Sequence, residues 1–426
     1  MSIDRSIAPE FRIIKSVHLP DPQTYTLDNG IALHVINIGD QPVIRLECIY
    51  EAGNWFEKQT SASSFAIKML PEGTKGKLSA EMSEAFDKIG AFIEMTHTAD
   101  RIGIVVYALS RFLSDVLQLV HELIGEAVFP DKEYEDLRNI TIQNLRINKE
   151  KNAYLATTAF RARLFGSDHP YGQSQEEEHV NSLSIEAVRD HYEEFIQNSK
   201  FTVVLAGQVA DADIQAVNQY LGKDQVGEQI LSTKNFTNPV YANDEVLVER
   251  PESVQSSIRM GRVMFNRHHP DYFKMLVTNE ILGGYFGSRL MKNIREEKGL
   301  TYGISSHLVT LRKAGYYMIG TDVKKEFTQQ TIDEIKKEIN ILQTELVGEE
   351  ELQTVKNFMA GEFAGSLNTA FEIADRQKIL LLDGLPTDFF NRYIDQIHAT
   401  TSHDVIAMAT QYLQPKDMLI VVAGGK

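Results

Sequence analysis

The sequence predicts an α+β protein built from two homologous halves, each a mixed β-sheet with helices packed on it. The first observation is an internal repeat. The stretch "VRDHYEEFIQNSKFTVVLAG", Val188 to Gly207, falls without a gap on "VIAMATQYLQPKDMLIVVAG", Val405 to Gly424, after a shift of 217 positions in a chain of 426. Val188 meets Val405, Phe195 meets Tyr412, Val204 meets Val421, and Ala206-Gly207 meets Ala423-Gly424. Both copies read as an amphipathic helix, a polar turn and a buried strand. The second observation is that strand and helix patterns come in the same order on either side of the middle, which is the layout of an α+β arrangement. The third is the polar stretch from Gly222 to Asn243, "GKDQVGEQILSTKNFTNPVYAN", which has no strong period and reads as a linker. These boundaries give an N-terminal half over 1–222, a linker over 223–243 and a C-terminal half over 244–426.

The first half opens with "TYTLDNGIALHVINI", an alternating pair of strands around the turn signal Asp28-Asn29-Gly30, followed by the strand pattern "PVIRLECIYEAG". A helix pattern covers "SSFAIKMLPEGT", Ser63 to Thr74. Ser79 is expected to cap the next helix, "AEMSEAFDKIG", which Gly90 closes. Strands follow in "AFIEMTHTADRIGIVVYALS", then long helical patterns over Arg111 to Ala127 and Lys132 to Phe165. The second half repeats the plan. It has the strand "SSIRMGRVMF", the helices "YFKMLVTNEILGG" and "SRLMKNIREEKG", and the strands "LTYGISSHLVT" and "GYYMIGTDV".

Composition narrows the function classes. Apolar residues make up 43% of the chain, ample for large cores, and the formal charge is −16 from 43 basic and 59 acidic residues. That balance speaks against nucleic acid, whose phosphates need a basic surface, and against an anionic membrane surface. Cys48 is the single cysteine, so an internal disulfide and a four-thiolate zinc site are both excluded. In its strand-like run it reads as a small core residue. No apolar stretch has the length of a membrane span, and "MSIDRSIAPEFRIIK" has no signal-peptide core. The expected compartment is the cytoplasm, or the periplasm if a leader has been removed. His268-His269 reads as a polar loop, and "EEEH", Glu176 to His179, as a solvated charge run in a loop.

At "SSFAIKMLPEGT" the chain resembles the pitrilysin/insulinase family of inverted zinc peptidases, and the resemblance covers nearly its whole length. The family's "LxNG" turn is seen as Leu27-Asp28-Asn29-Gly30, and its "EAGxxxE" as Glu51-Ala52-Gly53 and Glu57. Its metal helix, commonly "HFLEHMLFKGT", lies on "SFAIKMLPEGT" with Phe65, Met69, Leu70, Gly73 and Thr74 in frame. The chemical positions have changed. The first His is Ser64, the general-base Glu is Ile67, the second His is Lys68, and the third ligand, a Glu on a later helix, falls on Asn144. Neither HExxH nor HxxEH occurs elsewhere. The resemblance therefore implies no metal on this chain.

A second family feature survives. The family carries an Arg and a Tyr separated by six residues near "SRL" and "GLxY", and "SRLMKNIREEKGLTYGIS" supplies Arg295 and Tyr302. Gly299 reads as a helix-terminating glycine, so Arg295 is expected in the last helical turn and Tyr302 at the start of a strand, both facing one cavity. In active members this pair is understood to bind the substrate backbone and to stabilise the tetrahedral intermediate. Gly283, Gly284 and Gly287 of "GGYFGS" lie beside the pair. They fit either close approach of a peptide backbone or a plain helix-to-helix turn. The resemblance implies half of a split active site: a non-catalytic subunit whose homologous partner carries the zinc, acting together on peptides. The alternatives are a silent scaffold, like the core subunits of the respiratory bc1 complex, and a self-standing peptidase with another site. A heterodimer with the zinc-bearing chain is the expected assembly.

Overall fold

The computed structural model describes residues 13–228, 234, 236 and 244–425. Among the described residues eleven strands form two sheets. The first holds β1 (Gln23–Thr26), β2 (Ala32–Asn37), β3 (Val43–Tyr50), β4 (Phe92–His97), β5 (Ile102–Leu109) and β6 (Thr202–Gly207), in the order β1-β2-β6-β3-β5-β4. The second holds β7 (Glu245–Glu249), β8 (Gln255–Met264), β9 (Thr301–Thr310), β10 (Gly315–Lys324) and β11 (Leu419–Gly424), in the order β7-β11-β8-β10-β9. Among these strands only β2–β6 and β7–β11 pair in parallel. Without β1, the two sheets have the same order and the same directions.

The repeat extends to the register. Val204 on β6 lies opposite His34 on the parallel side and Glu47 on the antiparallel side. Val421 on β11 lies opposite Val246 and Arg259 in the same two senses. Each strand ends on a glycine for one physical reason: the neighbouring chain fills the place of its side chain. A Cβ at Gly207 would lie 2.1 Å from the Val43 carbonyl oxygen, and one at Gly424 would lie 2.6 Å from that of Gln255, with φ of +123° and +134°. β6 and β11 are central strands buried on both faces, so they read as unbroken apolar runs rather than alternating ones.

The halves exchange helices. The helix Asn152–Phe165 leaves the first half and packs on β8 and β11, while Ala370–Asp383 leaves the second and packs on β6 and β2. One apolar cluster accordingly mixes both halves, joining Leu19, Ile36, Val204 and Ala206 to Tyr272, Phe363, Ile373 and Phe389. The expected continuous helix from Lys132 to Phe165 is in fact two, Asp131–Lys149 and Asn152–Phe165. The break at Glu150-Lys151 redirects the chain, and Asn152 then donates to Ser253 Oγ and the Gln255 carbonyl of the other half.

Other local differences have simple causes. Ser79 is the first helical residue of Ser79–Lys88 rather than its cap, and its hydroxyl donates instead to Glu72 at 2.9 Å. "EEEH" is largely helical, within Glu177–Ser182, because Glu177 pairs with Arg146 and Glu176 with Lys149 of the neighbouring helix. Most of the expected linker 223–243 lies outside the described residues; of its described part, Gly227 bridges to Ser199, and Lys234 and Phe236 reach back to the first half. Cys48 is wholly buried on β3 and burial pushes its thiol pKa well up. Among the described residues no helix is long and apolar enough to cross a membrane.

Candidate functional site

The helix Ala62–Met69 begins in an unusual way. Ser61 takes a left-handed backbone, φ 79°, which keeps its side chain from capping the helix. The buried Glu57 carboxylate does so instead, accepting from Ser61 N at 3.2 Å, Ser63 N at 3.0 Å and the Ser63 hydroxyl at 2.5 Å. Burial raises the Glu57 pKa, against the lowering effect of these donors. Ser63 Oγ also lies 2.8 Å from His97 Nε2, whose pKa is brought down to about 4 by burial and by the charge of Lys68. This is not a nucleophilic arrangement. The Ser63 proton goes to the carboxylate, not to the imidazole, and the side chain is wholly buried.

The four positions corresponding to metal chemistry stand as follows. Ser64 lines a polar cavity of about 340 Å³. Ile67 is wholly buried in the core. Lys68 is exposed on the flank of the helix, where its surroundings still lower its pKa by desolvation. Asn144 is exposed on the helix Asp131–Lys149. A catalytic zinc is held by nitrogen and carboxylate donors. An alcohol, an ammonium and a carboxamide do not fit that ion, and Ile67 cannot take a proton from water. Among the described residues, no three His, Cys, Asp or Glu come together in a metal-holding group. His268 and His269 are spent locally: one meets the Asp383 carbonyl at 2.9 Å, the other stacks on Phe265 at 4.1 Å.

The cavity has walls from three separated segments. Asn54, Thr60, Ser61 and Ser64 form one, His97 to Ala99 the second, and Tyr154, Thr158, Arg161 with Gly172 to Gln175 the third. Gln173 donates to Thr60 Oγ1 at 2.6 Å and Gln175 to Ser61 Oγ at 2.9 Å, tying the third wall to the first. Arg161 had no signal in the sequence, because the fold alone brings its helix to this place.

In the second half Gly299 has φ +63° and ends the helical segment bearing Arg295, as its position suggested. The Arg295 guanidinium lies over the Phe286 ring, 4.7 Å from its centroid. Tyr302 is 94% exposed at the start of the outer strand β9 and lines an open pocket of about 430 Å³ with Thr157, Arg259 and His307. Arg295 does not line that pocket. Gly283 and Gly284 belong to the turn ending the helix that starts at Tyr272. A Cβ at Gly283 would lie 2.6 Å from Ser306 Oγ and 2.9 Å from Leu290 Cδ1, so that glycine serves internal packing, whereas one at Gly284 would meet the movable end of the Glu280 side chain at 2.3 Å.

Two sheets of the same strand order, with Ser64, Ile67, Lys68 and Asn144 at the four positions described above, define a class: an α+β fold of two related halves. In its second half and in its fold the chain is similar to inactive members of the M16 peptidase family. Residues 182–359 match the profile described as "Peptidase M16 inactive domain". Its relatives include the "Uncharacterized zinc protease YmxG" of Bacillus subtilis, 21% identical over 91% of this chain and 94% of that one. Another is the "Non-peptidase homolog YmxG" of Helicobacter pylori, 19% identical over 87% and 86%. Among solved structures, a peptidase M16 inactive domain from Pseudomonas fluorescens superposes with a TM-score of 0.85 at 22% identity, over 96% of this chain and 99% of that one. A chain of complex III2 from Candida albicans does so with a TM-score of 0.74 at 14% identity, over 94% and 95%.

Proposed function

We propose that this protein is the non-catalytic subunit of a heteromeric zinc peptidase. Its homologous partner carries the metal and the general base, and this chain offers Arg295 and Tyr302 to the peptide. One observation carries the reading: the positions of the family's metal donors hold Ser64, Ile67, Lys68 and Asn144, while Tyr302 stands almost fully exposed at the start of β9, the outermost strand of its sheet among the described residues. Such an edge accepts an extended peptide through backbone hydrogen bonds, and a phenol at its start can reach a carbonyl oxygen as charge develops there. Two halves joined near residues 223–243 complete the subunit. Mixing this chain with a relative that retains HxxEH, and following cleavage of an unstructured peptide, tests the proposal. Cleavage should need both chains. Equal cleavage by the relative alone would refute it.

The second reading is a scaffold that binds no substrate. The likeness to a chain of complex III2 favours it, because the same fold there sits in a large assembly. The Arg295→Ala, Tyr302→Phe double variant separates the two readings, since a scaffold would support cleavage by the partner undiminished.

A further inference from the structure

The polar cavity beside Ser64 contains an unbalanced charge. Arg161 gives its Nε–H to the Tyr171 carbonyl at 2.8 Å. Among the described residues, no carboxylate comes within ion-pairing distance of its guanidinium, although the chain carries an excess of acids. Glu57, the acid in the cavity wall, is already engaged by three donors. The remaining lining is mostly hydroxyls and carboxamides, among them Asn54, Tyr154, Thr158 and Gln173. A half-buried guanidinium without an acid partner, in a pocket of neutral hydrogen-bonding groups, matches a ligand that brings one carboxylate and several amides. Arginine's planar fork suits a carboxylate better than any other cation in the chain.

We infer that this cavity, beside Ser64, is a binding pocket for the carboxyl-terminal end of a short peptide. Arg161 holds the terminal carboxylate, and the Asn, Gln, Thr and Tyr side chains meet the adjoining peptide groups. At about 340 Å³ the pocket lies at the small end of ligand sites and accepts a chain end rather than a long segment. No bond is made or broken there. The pocket lies within this chain, so its use requires neither the zinc-bearing partner nor the Arg295/Tyr302 pair.

Calorimetric titration of the full chain alone tests the inference, with trialanine, trialanine amide and acetate as probes. Trialanine should bind, the amide should bind at least about tenfold more weakly through loss of the charge-assisted pair, and acetate should be weaker than trialanine. Arg161→Gln should abolish the preference for the free carboxylate, and Arg161→Lys should restore part of it. A readout on the unaltered protein removes any doubt about folding: trialanine should protect Arg161 from phenylglyoxal, scored by mass spectrometry of the modified peptide. No binding of trialanine, equal affinity for the amide, or labelling of Arg161 that trialanine does not slow would each overturn the assignment. Acetate binding as tightly as trialanine would overturn the peptide part of it.

Discussion

Arg45 on β3 and Asp375 on the helix Ala370–Asp383 come from opposite halves and meet through two hydrogen bonds, at 2.9 and 3.3 Å. Arg45 is buried and also pairs with the buried Glu47 at 2.8 Å, which Lys378 approaches at 2.7 Å. Arg45→Ala should cost about 3–5 kcal/mol, since it leaves a buried carboxylate short of its partner. Asp375→Asn should cost much less, because the Asp375 side chain is 51% exposed and its carboxylate already solvated. Urea unfolding of both variants checks the order. Equal losses would contradict it.

Stability should fall on mild acidification. His97 and His191 both have pKa values near 4, below the ordinary 6.5; burial is the main cause in each, assisted at His97 by Lys68 and opposed at His191 by its bond to the Ala52 carbonyl. The unfolded chain binds these protons more readily, so the stability of the neutral imidazoles is complete above about pH 6.5 and is lost as pH falls toward 4. Glu57 works the other way, because its raised pKa favours the protonated folded form as pH falls. Glu280, raised to about 7 by burial, and Asp100, also raised by burial, act with Glu57. His34, His169 and His307, all lowered by burial, act with His97 and His191. With five imidazoles against three carboxyls, denaturation midpoints should drop from about pH 7 to about pH 5. His191→Gln should flatten that drop, and an unchanged slope would rule out the assignment.

The repeat was legible in the sequence because its end is set by geometry. Gly207 and Gly424 stand where a neighbouring strand leaves no room for a Cβ, so the "VVxAG" signature survives in both halves. The helix that carries Ser64, Ile67 and Lys68 was legible for a related reason: Phe65, Met69 and Leu70 are wholly buried, and their spacing marks its packed face. The role of Glu57 as a helix cap was hidden, since it depends on the left-handed Ser61. The cavity was hidden because its walls are distant in sequence and only the exchanged helix Asn152–Phe165 brings Arg161 to Ser64. The break at Glu150-Lys151 has no Pro or Gly to announce it.

Tyr302 and Gly283 should separate function from folding. Tyr302→Phe removes one exposed hydroxyl, so stability should stay within about 0.5 kcal/mol, while turnover by the reconstituted pair falls by about 10²–10³-fold. Gly283→Ala pushes a methyl toward Ser306 and Leu290 and should cost about 1–3 kcal/mol. Thermal unfolding together with the cleavage assay distinguishes them. A large loss of stability in Tyr302→Phe would count against its exposed placement.

Elemental analysis of untagged protein should find no stoichiometric zinc at Ser64, Lys68 and Asn144, since an alcohol, an ammonium and a carboxamide do not make a zinc site. Zinc at one equivalent that vanished in Asn144→Ala would sink this expectation.

The exchange of helices between the halves has a consequence during synthesis on the ribosome. The first sheet is complete once β6 has emerged, yet one of its faces waits for Ala370–Asp383, more than a hundred residues later in the chain. Until then Ile36, Val204 and Ala206 lack their covering residues. A nascent chain of this length, with an uncovered apolar sheet face, is an aggregation-prone intermediate. Its yield in the cell should therefore depend on chaperone holding between the appearance of the two halves, and severing the chain in its middle should produce two insoluble fragments rather than two domains.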